Sequence, residues 1–198
     1  INTSLLSGVT LATFNVMYDA DIFTNGGFVR TQVESNITHT ATSSITTLGG
    51  MVVSDASGSI FMLEGAQAAT IDTDNGAVGG NVVLEATSDI FISQIRSPNG
   101  FVSLTAINGA VMDSGDLNGA TDIQTGDLRL VAAVGIGEDG NMFLETQAAN
   151  LEAQNTGVGR ILISNTGDLT IGDVETRVAA TIRNTTETLI QMPSLGGV

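Results

Sequence analysis

The chain contains no cysteine, no lysine and no tryptophan, and only one histidine, one tyrosine and two prolines in 198 residues. Without cysteine there is no disulfide, no thiolate zinc site and no iron–sulfur cluster. Without lysine or cysteine the commonest nucleophile and base pairings are missing, and no Gly-x-Ser-x-Gly elbow is present. The lone histidine, His39, lies in the Thr-rich run Asn36–Thr47 and reads as an exposed strand residue, not a catalytic base. Aromatics make up 4 % of the chain, too few to stack sugars along a groove. No stretch reaches the ~20 apolar residues of a membrane-spanning helix. No window carries sustained helical periodicity with caps; Ala66–Thr70 is at most one helical turn. Any leader peptide is expected to have been removed or to lie outside this sequence.

Charge is one-sided. Twenty-one acidic residues stand against six arginines, for a formal net charge of -15. Phosphate contacts dominate nucleic-acid affinity, so a nucleic-acid partner is excluded, and an anionic membrane surface is disfavoured on the same ground. Such a balance keeps a surface protein soluble and self-repelling.

What is abundant is small and apolar: 42 % hydrophobic residues and 24 glycines. Seven phrases share the form Gly-x-apolar-x-apolar: Gly58–Met62, Gly80–Leu84, Gly100–Leu104, Gly126–Leu130, Gly140–Leu144, Gly159–Ile163 and Gly167–Ile171. Apolar residues two apart face one side of a strand, and glycine supplies the positive φ of a tight corner. The intervals between these glycines are uneven, widest from Gly100 to Gly126 and narrowest from Gly159 to Gly167. Such spacing suggests strands stacked as coils with loops of variable length, an all-β solenoid. Residues 1–48 lack these phrases and read as β structure of another kind, a cap, side sheet or arm. Residues 49–174 read as the coils. Residues 175–198 read as a last extended pair, Thr176–Arg183 and Glu187–Gln191, forming a cap or junction.

From about Ser57 to Val174 the phrases Gly80-Asn-Val-Val-Leu-Glu-Ala86, Gly126-Asp-Leu-Arg-Leu-Val-Ala-Ala-Val-Gly-Ile-Gly137 and Ile163-Ser-Asn-Thr-Gly-Asp-Leu-Thr-Ile-Gly172 resemble the repeats of giant bacterial surface adhesins of the filamentous-haemagglutinin-like type. The resemblance covers more than half of the chain. It implies a right-handed parallel β-helix, export across the cell envelope, and a role as stalk, adhesin or fibre.

Two kinds of chemistry can be placed on residues. Asp72-x-Asp74-Asn75-Gly76 resembles the opening of a Ca²⁺ loop but lacks its closing glutamate, since position 83 is Val. Asp113 with Asp116, and Glu138 with Asp139, are comparable Ca²⁺ candidates; the competing account is that Asp, Asn and Gly simply favour turns. Asp127 and Arg129 are expected to point outward around the inward Leu128 as an ordinary surface ion pair. Asn36-Ile-Thr38 and Asn184-Thr-Thr186 match the glycosylation acceptor pattern. The Thr-x-Thr ladders of an ice-binding face are too irregular here.

The leading expectation is therefore a non-enzymatic, extracellular structural or adhesive solenoid. It would associate with further copies, with further repeats of its own chain, or with a surface glycan or host cell surface. The alternative is a parallel β-helix that binds or cleaves carbohydrate.

Overall fold

In the computed structural model, residues 2–3, 8–64, 70–115, 119–138, 143–172, 174, 179–181 and 188–190 are described. They contain no helix. The chain is a parallel β-solenoid of about seven turns, and each turn lays one strand on each of three faces. Face A carries Val9–Thr13, Val29–Val33, Val52–Ala56, Val82–Ala86, residues 101–106 and 127–132, and residues 150–155. Face B carries Val16–Tyr18, Ile37–His39, Ile60–Met62, Ile90–Ile92, Ala110–Asp113 and Gly135–Ile136. Face C carries Ile22–Thr24, Ser44–Thr46, Thr70–Asp72, residues 94–97 and 123–125, and residues 144–147, with Ile163–Asn165 as the last strand.

Register makes the coil visible. Val9, Val29, Val52, Val82, Val102, Leu128, Leu151 and Ile171 stack in one column, successive members one turn apart. The widest step in sequence, from Val52 to Val82, takes in the loop closed by the bridge between Asp74 and Gly79. Face B stacks Val16, Ile37, Ile60, Ile90, Val111 and Ile136, and face C stacks Ile22, Ile45, Ile71, Ile95 and Ile123. These columns fill a core almost free of water, each side chain contributing about 1.5–3 kcal/mol of burial. Narrow aliphatic rungs suit a three-faced core, which explains why so few rings are needed.

The stack begins earlier than the glycine phrases suggest. Residues 9–48 supply the strands of the first two coils and pair in register with those that follow. Their corner between faces C and A keeps glycine, with Gly26 at φ 81° and the Gly27 carbonyl oxygen directly against Gly50; their other corners use polar side chains. Asn36 Oδ1 accepts the Ser59 amide at 2.8 Å, and Asp21 Oδ1 accepts that of Ser44 at 3.0 Å. Each polar side chain thus caps a backbone amide of the next coil, a task that needs Asn or Asp and no glycine. Asn36 of the first glycosylation sequon is engaged in this way; Asn184 lies outside the described residues, as do residues 66–69 of the short helical candidate.

The glycine phrases do not mark one equivalent position. Gly58 opens a face B strand, Gly80, Gly100 and Gly126 open face A strands, and Gly159 leads into the bridge from Ile161 to Ile136 on face B. Uneven spacing follows from counting different corners. Nor is positive φ the general reason for glycine: Gly159 and Gly167 have it, at 103° and 96°, whereas Gly80, Gly100 and Gly126 do not. At the corner between faces C and A successive coils approach so closely that a Cβ on Gly80 would lie 1.9 Å from the Gly50 carbonyl oxygen. Buried hydroxyls hold the same corner together: Thr47 Oγ1 donates to Gly50 O at 2.6 Å, and Thr73 Oγ1 and Ser97 Oγ each donate to Gly80 O at 2.7 Å.

Beyond the coils, residues 179–181 and 188–190 pair antiparallel as a separate two-stranded sheet.

Candidate functional site

The residues singled out by sequence fall into different environments. Asp72 and Asp74 serve their own loop: Asp72 Oδ1 accepts the Asp74 amide at 2.9 Å, Asp74 Oδ1 accepts that of Gly76 at 2.8 Å, and Asn75 Oδ1 takes the amides of Ala77 and Val78. Asp72 also lies 3.6 Å from Arg96 Nε. Asp113 is not a surface turn residue. It continues the inward column of Ile92 on face B and is 1 % exposed. Glu138 is exposed, while Asp116 and Asp139 lie outside the described residues. Among the described residues no three His, Cys, Asp or Glu side chains come together in a metal-sized cluster.

His39 corrects the expectation of an exposed strand residue. It points inward, is fully buried, and stacks on the Tyr18 ring with centroids 4.4 Å apart. Neither ring nitrogen has a hydrogen-bond partner among the described residues. Sequence could have hinted at this, because His39 lies two residues after Ile37, on the same side of the strand. Burial disfavours the imidazolium and lowers its pKa to about 4. The unfolded chain titrates near 6.5, so this group's contribution is intact above that pH and is lost as pH falls through about 4. His39→Phe is expected to remove up to about 3 kcal/mol of acid-side stability loss between those values. Urea midpoints at pH 7 and pH 4.5 check this; an unchanged acid slope in the variant would locate the loss elsewhere.

Sequence reasoning missed Asp122 and Glu145, at the corner between faces B and C. Asp122 is 1 % exposed, and its Oδ2 accepts the Glu145 amide at 2.7 Å. Burial, together with the nearby charges of Asp113 and Glu145, pushes its carboxyl up to about 9. The group holds a proton at neutral pH. The only hint in the sequence is a carboxylate beside the apolar Ile123.

Arg129 and Asp127 do point outward around Leu128, but not as an exposed pair. Arg129 is 6 % exposed, with Nη1 3.5 Å from Ser103 Oγ, and Asp127 Oδ1 accepts a hydrogen bond from Asn150 Nδ2 at 2.7 Å. Burial lowers the Arg129 pKa, opposed by the charges of Glu152 and Glu85.

Among the described residues, two concave features stand out. On face C a polar ladder runs across coils: Arg96 Nη1 donates to Gln124 Oε1 at 2.7 Å, and Gln124 Nε2 to Gln147 Oε1 at 3.0 Å. It borders a groove of about 320 Å³ lined by Gln124, Thr125, Gln147, Thr166 and Asp168 with Pro98 and Ala148. The groove has amides, hydroxyls and a carboxylate but no aromatic ring.

The second feature is an opening of about 430 Å³ at the last coil, lined by Leu151, Ala153, Ile161, Ile163, Leu169 and Ile171 with Asn165 and Gly167. These are core-type side chains, and among the described residues no further coil lies above them. Ile171, the last member of the face A column, is 58 % exposed. The first coil differs: Val16, Tyr18 and Ile22 are 7 % exposed or less. One end of the described stack is thus apolar and open. No family model, curated protein or solved structure matches this chain, and its identity at this level is that of its fold, a parallel β-solenoid repeat protein.

Proposed function

We propose that the chain is a non-enzymatic structural segment, a stalk or fibre element of an adhesive surface protein that works outside the cell. The observation that carries this reading is the open coil end. Leu169, Ile171, Ile163 and Leu151 form an apolar platform with strand edges beside it, and such a platform is costly to leave in water. A further β coil satisfies both the apolar side chains and the free edge, whether it comes from a second copy or from more of the same chain. A joint of this kind is head to tail, because the two ends of the stack differ, and it propagates without closing. The rod is stiff because each interior strand is bonded on both sides, and its acidic surface keeps rods apart laterally. The face C groove does not favour the carbohydrate reading, since it offers no ring for a sugar to stack on.

Electron microscopy of the purified chain, with and without a calcium chelator, tests this. End-to-end filaments with a coil-stack repeat are expected, and Ile171→Asp, which alters the terminal platform alone, should shorten or abolish them. Filaments that fall apart in chelator would put Ca²⁺ at the joints. Monodisperse single rods at high concentration, unchanged by Ile171→Asp, would sink the end-joint reading.

A further inference from the structure

The middle column on the outer side of face A is dry from the second coil onward, although Thr10 in the first coil is exposed and no strand of the seven coils covers the column. Arg30, Val53, Val83, Ser103, Arg129 and Glu152 form one column across successive coils. They point away from the core, which their neighbours Val29, Val52, Val82, Val102, Leu128 and Leu151 already fill. Yet none is more than 8 % exposed. Phe101, outward in the adjacent column, is fully buried. Outward residues on the other faces keep their water: Met17 on face B is 64 % exposed and Phe23 on face C is 38 % exposed. An uncovered sheet leaves solvent above its outward side chains, and two arginines and a glutamate are not buried without cover and counter-charge.

The chain itself leads to this surface. After Ile171 it leaves the last coil, and at Val174 it is again buried, 1 % exposed, with the Val174 amide donating to Glu152 Oε2 at 3.2 Å. Glu152 is the last member of the dry column. Residues 175–198 follow. A segment of that length reaches ~80 Å when extended, against ~35 Å for a row of strands spaced ~4.8 Å apart across all the coils. The segment contains the antiparallel pair Ala179–Thr181 and Thr188–Ile190, which shares no strand with the coils. Its sequence also fits: Val178, Ala180 and Ile182 are apolar at alternate positions, and Arg177, Arg183, Glu175 and Glu187 offer charges of both signs to Arg30, Arg129, Glu152 and the flanking Asp55 and Glu85.

We propose that the outer side of face A is a docking groove, and that its occupant is this chain's own residues 175–198, laid across the coils as a hairpin cover. The segment is then a lateral strap and not an end cap, which accounts for an end of the stack that stays open while a side face is closed. A second copy could offer the same chemistry, but the Val174–Glu152 contact delivers the cover in cis.

The absence of cysteine and lysine makes the test clean. Val83→Cys introduces the only thiol, and trypsin can cut the chain only after its six arginines, two of which, Arg177 and Arg183, lie in the strap. In the intact chain the thiol is expected to react with a maleimide at least 100-fold slower than a free thiol, and cleavage at Arg177 and Arg183 to be correspondingly slow. Once the strap is cut, the thiol should become reactive while the far-ultraviolet circular dichroism of the coils is retained. Val53→Asp, which charges the column without touching the core, should speed strap cleavage at least 10-fold. If Val83→Cys fails to fold, Val53→Cys reads the same surface. A thiol reactive in the intact chain, or strap cleavage at the rate of an unfolded peptide with the thiol still protected, overturns the proposal; protection that fades on dilution would assign the cover to a second copy.

Discussion

Gly80→Ala is expected to destabilise the solenoid by at least about 3 kcal/mol, the high end of what overpacking costs. The backbone of Gly80 has no positive φ to lose, so the cause is contact alone. A Cβ there would lie 1.9 Å from Gly50 O and 2.6 Å from Gly50 C. Both are backbone atoms held in the coil below, and cannot swing aside as a flexible side chain could. The two coils would have to move apart at this corner, straining the hydroxyl bonds from Thr73 and Ser97 to Gly80 O. Coils in a solenoid hold only their neighbours, so a defect between two of them divides the stack into shorter, less cooperative pieces. For a chain of this size the expected fall in Tm is roughly 6–12 °C. The control is Gly76→Ala. Gly76 has φ of 82° and nothing within 4 Å of the place its Cβ would take, so it should cost only about 1–2 kcal/mol of left-handed strain. Thermal and urea unfolding of the pair would decide: a Gly80 variant as mild as the Gly76 variant would mean that the coils are not in close contact at this corner.

The contrast between these glycines shows where the sequence is legible. Apolar residues two apart are a local signal, and the strand that the Gly80–Leu84 phrase forecasts is present as Val82–Ala86. Which face each strand joins is a matter of pairing one whole turn away, as Val9 pairs with Val29 and Val52 with Val82, and no local pattern carries it. Residues 9–48 look foreign because Thr31 stands where the phrase begun by Gly27 needs its second apolar residue, and because Asn36 and Asp21 cap the other corners. The same use of side chains recurs at other corners: Asp89 Oδ1 takes the Ala110 amide at 2.9 Å, as Asp122 takes that of Glu145. The dry side of face A does leave a trace. Val52-Val53 and Val82-Val83-Leu84 are unbroken apolar runs where a strand wet on one side should alternate, and continuous runs are the mark of strands covered on both faces. The open end leaves none, because Leu169 and Ile171 are ordinary rung residues until the stack is seen to stop at them.

Asp122→Asn is expected to raise stability at pH 7 by on the order of 4 kcal/mol and to flatten the pH profile above pH 6.5. The wild-type carboxyl titrates at about 9 in the folded chain, raised by burial and by Asp113 and Glu145, and near 3.8 once unfolded. Its contribution is therefore full below the unfolded value and is lost steadily as pH rises toward the folded one, because the unfolded chain releases a proton that the folded chain must keep. Asparagine presents a neutral group of the same shape, still able to accept the Glu145 amide, and carries no such penalty. His39 acts in the opposite sense between pH 6.5 and 4, so the two slopes oppose each other on the acid side and only that of Asp122 remains above pH 6.5. Wild type should thus be nearly level from pH 4 to 6.5 and decline toward pH 9, the Asp122 variant should decline only on acidification, and the His39 variant should decline throughout from pH 4 to 9. Urea midpoints across this range separate the three curves. Destabilisation of the Asp122 variant at pH 8 would overturn the argument: it would mean that the carboxylate is charged in the folded chain and that a cation neutralises it, which added Ca²⁺ would then reveal as a rise in wild-type Tm alone.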